Sequence, residues 1–231
     1  MRRAASYAAI ALAVAMVVPA SASGEERASA VVIARGSTIV AEGDSLTYGM
    51  DITPAGVPTQ INGAPQTRSV APYPETLAQQ LKGCASVVNH GYPGDRSVDG
   101  LVRWQVPSHA NLAVLMYGSN DALNYGRAPT GIVSIDTFRA VLNLLIRRRQ
   151  AERSQVILLS PPPMGNEHGE RLIAPFRAVV RKTAADLGLM FIDTEDVLKN
   201  VSPIWTEDKV HLSTAANVAI AQRLARSIRC E

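Results

Sequence analysis

The sequence has few of the residues that indicate metal or nucleic-acid binding. It holds only two cysteines, Cys84 and Cys230, and its four histidines are scattered, so cysteine and histidine alone cannot build a tetrahedral zinc site. The formal net charge is only +3 over 231 residues, and Arg2 and Arg3 contribute two of those charges. So small a positive excess offers no electrostatic case for nucleic acid as a partner.

The sequence also lacks an apolar run long enough to favour a membrane anchor. The N-terminal apolar stretch, residues 7–18, is shorter than the roughly 20 residues that a transmembrane helix needs. Two arginines precede it, and small residues at 19–22 form a cleavage pattern. We predict a signal peptide over residues 1–22, cleaved near Ala22, then an N-terminal extension over 23–36. The mature protein is then periplasmic or secreted, by an export route that the sequence leaves open.

The rest of the chain has the composition of one globular domain, which we place at residues 37–231. Hydrophobic residues make up 47% and charged residues 19% of the sequence. Short apolar runs alternate with segments of helical period, which predicts an α/β domain with a parallel sheet. The predicted strands are 37–41, 86–89, 112–117, 156–160 and 190–193. The predicted helices are 73–82, 136–149, 174–187 and a last helix after Ser213.

Two features of this domain remain open. An exported protein can join Cys84 and Cys230 in a disulfide, the alternative being two free thiols. Residues 53–71 are rich in Pro, Gly, Asn and Thr, and we predict a long irregular loop there. The loop either forms a wall or lid of a substrate site or only covers the surface.

A serine lies just past the predicted end of the first strand. Gly43-Asp44-Ser45 follows that strand, at the edge where open α/β sheets bind their ligands. A serine hydroxyl needs a base that is oriented by an acid before it can act as a nucleophile. Asp208 and His211 lie three residues apart directly before the last helix, so both side chains can share one side of the chain.

The other three histidines are weaker candidates for the base. His90 ends the second strand, where it could contact substrate, and His109 has no acidic neighbour. His168 lies beside Glu167 in a loop that could reach the rim of the site. We therefore choose His211.

Acyl transfer also needs hydrogen-bond donors for the developing oxyanion. Gly91 and Gly94 follow the second strand, and Gly118-Ser119-Asn120-Asp121 follows the third. A glycine can expose its backbone N–H, and the Asn120 side chain is a neutral donor. Asp44 and Asp121 are better suited to brace the site than to transfer protons.

Together these blocks resemble the SGNH hydrolase family of GDSL-like lipases and esterases. That family carries serine in Gly-Asp-Ser, then a glycine, asparagine in Gly-x-Asn-Asp, and histidine in Asp-x-x-His. The corresponding residues, in family order over residues 37–228, are Ser45, Gly94, Asn120, Asp208 and His211. Gly94 is preferred to Gly91 because the family's glycine precedes a polar residue and then Ser or Thr.

The resemblance implies a three-layer α/β/α sandwich of flavodoxin-like type, with a central parallel sheet of about five strands. It also implies ping-pong ester hydrolysis without a metal or an organic cofactor. In that scheme Ser45 is the nucleophile, His211 the base and Asp208 the residue that orients it. The oxyanion hole consists of the N–H groups of Ser45 and Gly94 and the side chain of Asn120.

The substrate is less well defined by the sequence. Aromatic residues are only 5% of the chain, which argues against a lipase for long-chain fats. His90, Tyr92 and Arg96 are polar groups suited to a sugar. We therefore expect a short-chain esterase acting on small-molecule or glycan esters, with O-acetyl groups on carbohydrate as one candidate. The alternatives are an exported O-acyltransferase, a thioesterase or lysophospholipase, and a non-catalytic carbohydrate-binding module.

Overall fold

The elements below come from a computed structural model that describes residues 30–123 and 133–231. The strands are β1 Val31–Ile33, β2 Ser37–Gly43, β3 Val57–Ile61, β4 Ala64–Arg68, β5 Ala85–Gly91, β6 Leu112–Met116, β7 Gln155–Leu159, β8 Met190–Ile192 and β9 Ile228–Cys230. The helices are α1 Ser45–Tyr48, α2 Tyr73–Gln80, α3 Ser97–Arg103, α4 Ser119–Leu123, α5 Ile135–Ala151, α6 Glu167–Leu187, α7 Thr194–Leu198 and α8 Thr214–Arg226. The predicted signal peptide, residues 1–22, lies outside the described residues.

A five-stranded parallel sheet forms the middle layer, in the order β5-β2-β6-β7-β8. Side chains of β6 alternate between two hydrophobic cores, as the period of a strand requires. Leu112, Val114 and Met116 pack with α2 and α8, whereas Ala113 and Leu115 pack with α5 and α6. Helices therefore cover both faces of the sheet, and the predicted three-layer α/β/α fold is confirmed.

All five predicted strands of this sheet are present, with ends that differ by at most two residues. Both faces of the central strands are buried, so they appear in the sequence as continuous apolar runs. The helix predicted at 174–187 begins earlier, at Glu167, because Asn166 caps it by accepting a hydrogen bond from Gly169 N at 2.7 Å. Pro175 lies inside this helix, where a proline normally marks a boundary.

The prediction of an irregular loop over 53–71 is wrong for most of its length. β3 and β4 form an antiparallel hairpin in that segment. Asn62 and Gly63 connect them, both with positive φ (49° and 79°), as a two-residue hairpin turn requires. No residue of either strand is buried, so the apolar alternation that would have revealed them is weak.

A second pairing involves the N-terminal part of the described chain. β1 lies parallel to β9, so part of the segment predicted as an extension, 23–36, pairs with a strand from the end of the domain. Within residues 30–123 and 133–231, no helix has the length and apolar character needed to cross a membrane.

Cys84 and Cys230 form a disulfide whose Cα atoms are 5.8 Å apart. The bond closes a loop between residues separated by 146 positions, which restricts the unfolded chain strongly. We expect the double variant Cys84→Ser, Cys230→Ser to lose about 4 kcal/mol of unfolding free energy. Urea denaturation measures this loss, and wild type kept reduced with dithiothreitol should behave like the double variant. Equal midpoints for the oxidised wild type and the double variant would contradict the prediction.

Candidate active site

The candidate nucleophile begins a short helix at the carboxyl end of the central sheet. β2 ends at Gly43, and Ser45 is the first residue of α1, capped by Asp44. A Cβ at position 43 would lie 2.1 Å from Thr47 Oγ1 and 2.5 Å from the Met116 carbonyl oxygen, so only glycine fits there. This tight turn holds the Ser45 hydroxyl at the edge of the sheet, with 8% of the residue exposed.

The turn before α8 brings an imidazole and a carboxylate to this serine. His211 Nε2 lies 3.1 Å from Ser45 Oγ, and its other ring nitrogen, Nδ1, lies 2.5 Å from Asp208 Oδ2. Asp208 Oδ1 accepts hydrogen bonds at 2.9 Å from the backbone N–H groups of Val210 and His211 and from the Thr206 hydroxyl. The three side chains thus form a continuous serine, histidine and aspartate array, with the carboxylate fixed by its own turn.

The carboxylate of this array stays ionised. Partial burial raises the pKa of Asp208, but hydrogen bonds from the His211 ring and from the Val210 and His211 backbone outweigh burial and lower the pKa to about 2. A negative charge at Asp208 stabilises the imidazolium that forms when His211 takes a proton. The acid is therefore suited to orienting the base and not to giving up a proton itself.

Gly94 and Asn120 lie in the same cleft as the array. Gly94 has φ +84°, and a Cβ there would meet nothing within 4 Å, so its backbone conformation, not space, calls for glycine. Asn120 is 5% exposed, and its Nδ2 donates to the Asp95 carbonyl at 3.0 Å. That bond uses one of the two amide hydrogens and fixes the amide orientation. The second hydrogen remains for a ligand atom in the cleft.

The Asp95 carbonyl is itself held in place. The Asp95 carboxylate accepts two hydrogen bonds from Arg103, both at 2.7 Å. The Arg103 guanidinium stacks on the Tyr92 ring at 3.4 Å from its centroid. Asp121, next to Asn120, accepts hydrogen bonds from the backbone and hydroxyl of Ser97. Asp121 therefore braces the site through hydrogen bonds.

The cleft around these groups is small, with a volume of about 340 Å³. Its described lining includes the array, Gly94, Asn120 and Ser119. Its apolar wall, which the sequence interpretation did not identify, consists of Leu46, Met50, Pro93 and Val210. Leu46, Pro93 and Val210 are each next to a motif residue in the sequence. That adjacency is the one feature of the sequence from which they could have been predicted.

The three predicted substrate contacts do not line this cleft. His90 stacks on the Trp104 ring at 4.0 Å, and Arg96 is buried and paired with Asp99. Tyr92 lines a different cavity, described below. Ring stacking and ion pairing hold His90 and Arg96 away from the described lining of this cleft, and contact of the three residues with substrate stays a prediction. The hairpin of residues 57–68 is likewise absent from the described lining of the cleft.

The remaining predicted alternatives are also placed. His109 and His168 are exposed and line no part of the described cleft. In residues 30–123 and 133–231, no group of three or more histidine, cysteine, aspartate or glutamate side chains is arranged to hold a metal ion.

Asp44, next to the serine, gives the fold a specific dependence on pH. Burial raises the pKa of Asp44 to about 7; the hydrogen bond from Leu46 N opposes the rise, and the carboxyls of Asp121 and Asp95 add to it. An unfolded aspartate titrates near a pKa of about 4. At a pH between these two pKa values, the Asp44 carboxyl is protonated in the folded protein and ionised in the unfolded chain. A pH that rises through this range therefore lowers the free energy of unfolding.

Asp44→Asn removes this titration and keeps an oxygen that can accept from Leu46 N. We expect the unfolding free energy of the variant, relative to wild type, to rise by about 3 kcal/mol between about pH 5 and about pH 8. Urea denaturation of both proteins at the two pH values measures the difference. A difference that does not change with pH would show that Asp44 is already ionised in the folded protein at low pH.

Comparisons with known proteins match most of the domain. The sequence model described as the GDSL-like Lipase/Acylhydrolase family matches residues 41–219. Comparison with curated proteins returns no match.

Solved structures share the fold. Axe2, described as an acetylxylan esterase from Geobacillus stearothermophilus, matches with a TM-score of 0.66 and 23% identity over 84% of this chain and 95% of its own. LAE5, described as an alpha/beta hydrolase enzyme from the metagenome of Lake Arreo, Spain, matches with a TM-score of 0.67 and 21% identity, over 84% and 96%. A lipase/acylhydrolase from Enterococcus faecalis matches with a TM-score of 0.63 and 23% identity, over 82% and 94%.

Proposed function

The chain belongs to the GDSL-like lipase/acylhydrolase family and is a carboxylic ester hydrolase; on that premise, we propose that it is an exported serine esterase for short-chain esters. O-acetyl groups on carbohydrate are the substrate class we favour. The observation that carries the proposal is the unbroken array in which Asp208 binds His211 and His211 reaches Ser45 Oγ at 3.1 Å. It has the geometry of a nucleophile, a base and an orienting acid.

In the first half of the proposed reaction, Ser45 Oγ attacks the ester carbonyl while His211 Nε2 takes the hydroxyl proton. The carbonyl oxygen becomes an oxyanion, held by the N–H groups of Ser45 and Gly94 and by the free hydrogen of the Asn120 amide. The tetrahedral intermediate collapses, the bond to the alcohol oxygen breaks, and His211 returns the proton to that oxygen. The products of this half are the free alcohol and an acyl group on Ser45.

In the second half, water takes the place of the alcohol. His211 removes a proton from the water, which attacks the acyl carbonyl, and the same donors hold the oxyanion. Collapse breaks the bond to Ser45 Oγ, which recovers its proton from His211. The carboxylic acid leaves and the enzyme is restored.

The preference for short acyl chains follows from the size of the cleft. A cavity of about 340 Å³ with a short apolar wall has room for an acetyl or butyryl group beside the alcohol. With p-nitrophenyl esters, we expect kcat/KM to fall by at least about tenfold from butyrate to octanoate. Steady-state kinetics on acetate, butyrate and octanoate test this. A maximum at octanoate would contradict the preference.

One observation supports carbohydrate O-acetyl esters as the natural class. Axe2, described as an acetylxylan esterase, shares the fold over 84% of this chain. A product assay with an acetylated glycan separates the two directions of the chemistry. Free acetate supports the esterase, whereas transfer of acetyl to an added glycan acceptor supports an O-acyltransferase instead.

Export is part of the proposal. It is supported by the signal-like pattern over residues 1–22 and by the disulfide between Cys84 and Cys230, since disulfides persist in oxidising compartments. Mass measurement of the protein recovered from the periplasm or the medium tests it. We expect the mature chain to begin shortly after Ala22.

A further inference from the structure

A second cavity, which we call the hairpin groove, lies between the β3–β4 hairpin and the free edge of β5. Its volume is about 780 Å³. Its walls include the hairpin residues Gln60 and Asn62, the aromatic residues Tyr92 and Trp104, and Val88 of β5. No step of the proposed reaction uses this groove.

The charges in the wall of the hairpin groove are compensated. Arg68 pairs with Glu75 at 2.5 Å, and Arg103 pairs with Asp95 at 2.7 Å. Both cations have carboxylate partners, so these residues leave no uncompensated positive charge in the groove. The groove is therefore not suited to attract an anionic polymer or a phosphate. The ion pairs also make it a poor site for an acyl chain, which would desolvate them without compensation.

The same wall is rich in groups that bind hydroxyls and rings. Gln60 and Asn62 are exposed amides, and each can both donate and accept hydrogen bonds. Tyr92 and Trp104 are held rigidly, the first under the Arg103 guanidinium and the second against His90. Flat, fixed aromatic faces beside amides suit a neutral ligand with many hydroxyls.

The hairpin groove is adjacent to the catalytic cleft. Ser45 lines the cleft and Tyr48 lines the groove, and these residues lie three positions, or about 4.5 Å, apart along α1. Gly94 lines the cleft and Tyr92 the groove, only two positions apart in the chain. An extended ligand can therefore reach from one cavity into the other.

We propose that the hairpin groove is a binding subsite for a neutral carbohydrate chain whose ester-bearing unit lies at Ser45. This inference rests on the proposed function and adds that the enzyme recognises several sugar units of its substrate. Contacts far from the reacting ester then raise kcat/KM for glycan esters and leave small esters unaffected.

The test uses variants on the two faces of the hairpin. Gln60→Ala and Asn62→Gly remove the two amides; glycine tolerates the positive φ at position 62, so the turn is kept. Gln66→Ala is the matched control. Gln66 pairs with Thr59, the neighbour of Gln60, so it lies on the opposite face of the hairpin from Gln60, and it is absent from the described lining of the groove. All variants are assayed on acetylated xylan, acetylated glucomannan and p-nitrophenyl acetate.

On at least one glycan, we expect each groove variant to lower kcat/KM by roughly three- to tenfold and the double variant by more than roughly tenfold. Turnover of p-nitrophenyl acetate should stay at the wild-type level, and Gln66→Ala should match wild type on all substrates. The proposal would be overturned if the groove variants leave unchanged the ratio of kcat/KM on the acetylated glycan to kcat/KM on p-nitrophenyl acetate. An equal loss in Gln66→Ala would also overturn it.

The results also separate this inference from the proposed function. If wild type cleaves p-nitrophenyl acetate but neither glycan, the esterase stands and the carbohydrate subsite is overturned. If wild type cleaves no ester at all, the proposed function itself fails.

Discussion

Replacing Ser45 or His211 with alanine is expected to reduce kcat on p-nitrophenyl acetate by roughly 10⁴- to 10⁶-fold. Without Ser45 there is no oxygen to carry the acyl group, and without His211 nothing removes the proton from that oxygen. The two groups are linked by a 3.1 Å contact and act in the same step of the proposed reaction. The double variant should therefore be no slower than either single variant, because removing one member already disables the unit.

Ser119→Ala is the control for this pair. Ser119 is a second buried serine that lines the same cleft, yet no hydrogen bond joins it to His211 within the described residues. We expect Ser119→Ala to stay close to wild type. Losses that multiply in the double variant would mean that Ser45 and His211 act in separate steps, and a near-wild-type Ser45→Ala would remove Ser45 from its role.

Asn120→Ala is expected to lower kcat by roughly 10²- to 10³-fold while KM changes little. The amide donates to an oxygen that is negative only in the transition state, so its loss affects the chemical step more than substrate binding. Its orientation is fixed by the 3.0 Å bond to the Asp95 carbonyl. Asn120→Asp should be slower still, because a carboxylate faces the oxyanion with an acceptor where a donor is needed.

Steady-state kinetics on both Asn120 variants measure the effect, and thermal unfolding checks that they are folded. A rise in KM with kcat unchanged would place Asn120 in ground-state binding and not in the oxyanion hole. Asn143→Ala provides a matched control, since Asn143 is a partly exposed asparagine on α5, outside the described lining of the cleft.

The middle of the central sheet could be predicted from the sequence because its three inner strands, β2, β6 and β7, are buried on both faces. Each appears as a short apolar run, such as 112–117, that no amphipathic helix would produce. Ser45, Gly94 and Asn120 could be proposed because each follows a predicted strand, and parallel strands end at one edge of the sheet. His211 could be proposed from its spacing to Asp208, which the turn before α8 converts into direct contact.

Two kinds of feature could not be predicted in the same way: strands that are partly exposed, and strand pairs whose members are far apart in the sequence. The β3–β4 hairpin has no buried residue in its strands, and only Asn62-Gly63 indicates the turn. β1 and β9 are short strands from opposite ends of the described chain, so no local pattern pairs them. Polarity alone suggested Arg96 as a substrate contact, whereas the fold engages that side chain with Asp99.

Covalent trapping of the nucleophile tests the central claim most directly. Diethyl p-nitrophenyl phosphate transfers its phosphoryl group to an activated serine and releases p-nitrophenolate, and peptide mass mapping locates the adduct. The account predicts one adduct, on the peptide that contains Ser45, with none formed in Ser45→Ala and slow labelling in His211→Ala. An adduct on another residue, or labelling of Ser45→Ala at the wild-type rate, would contradict the account.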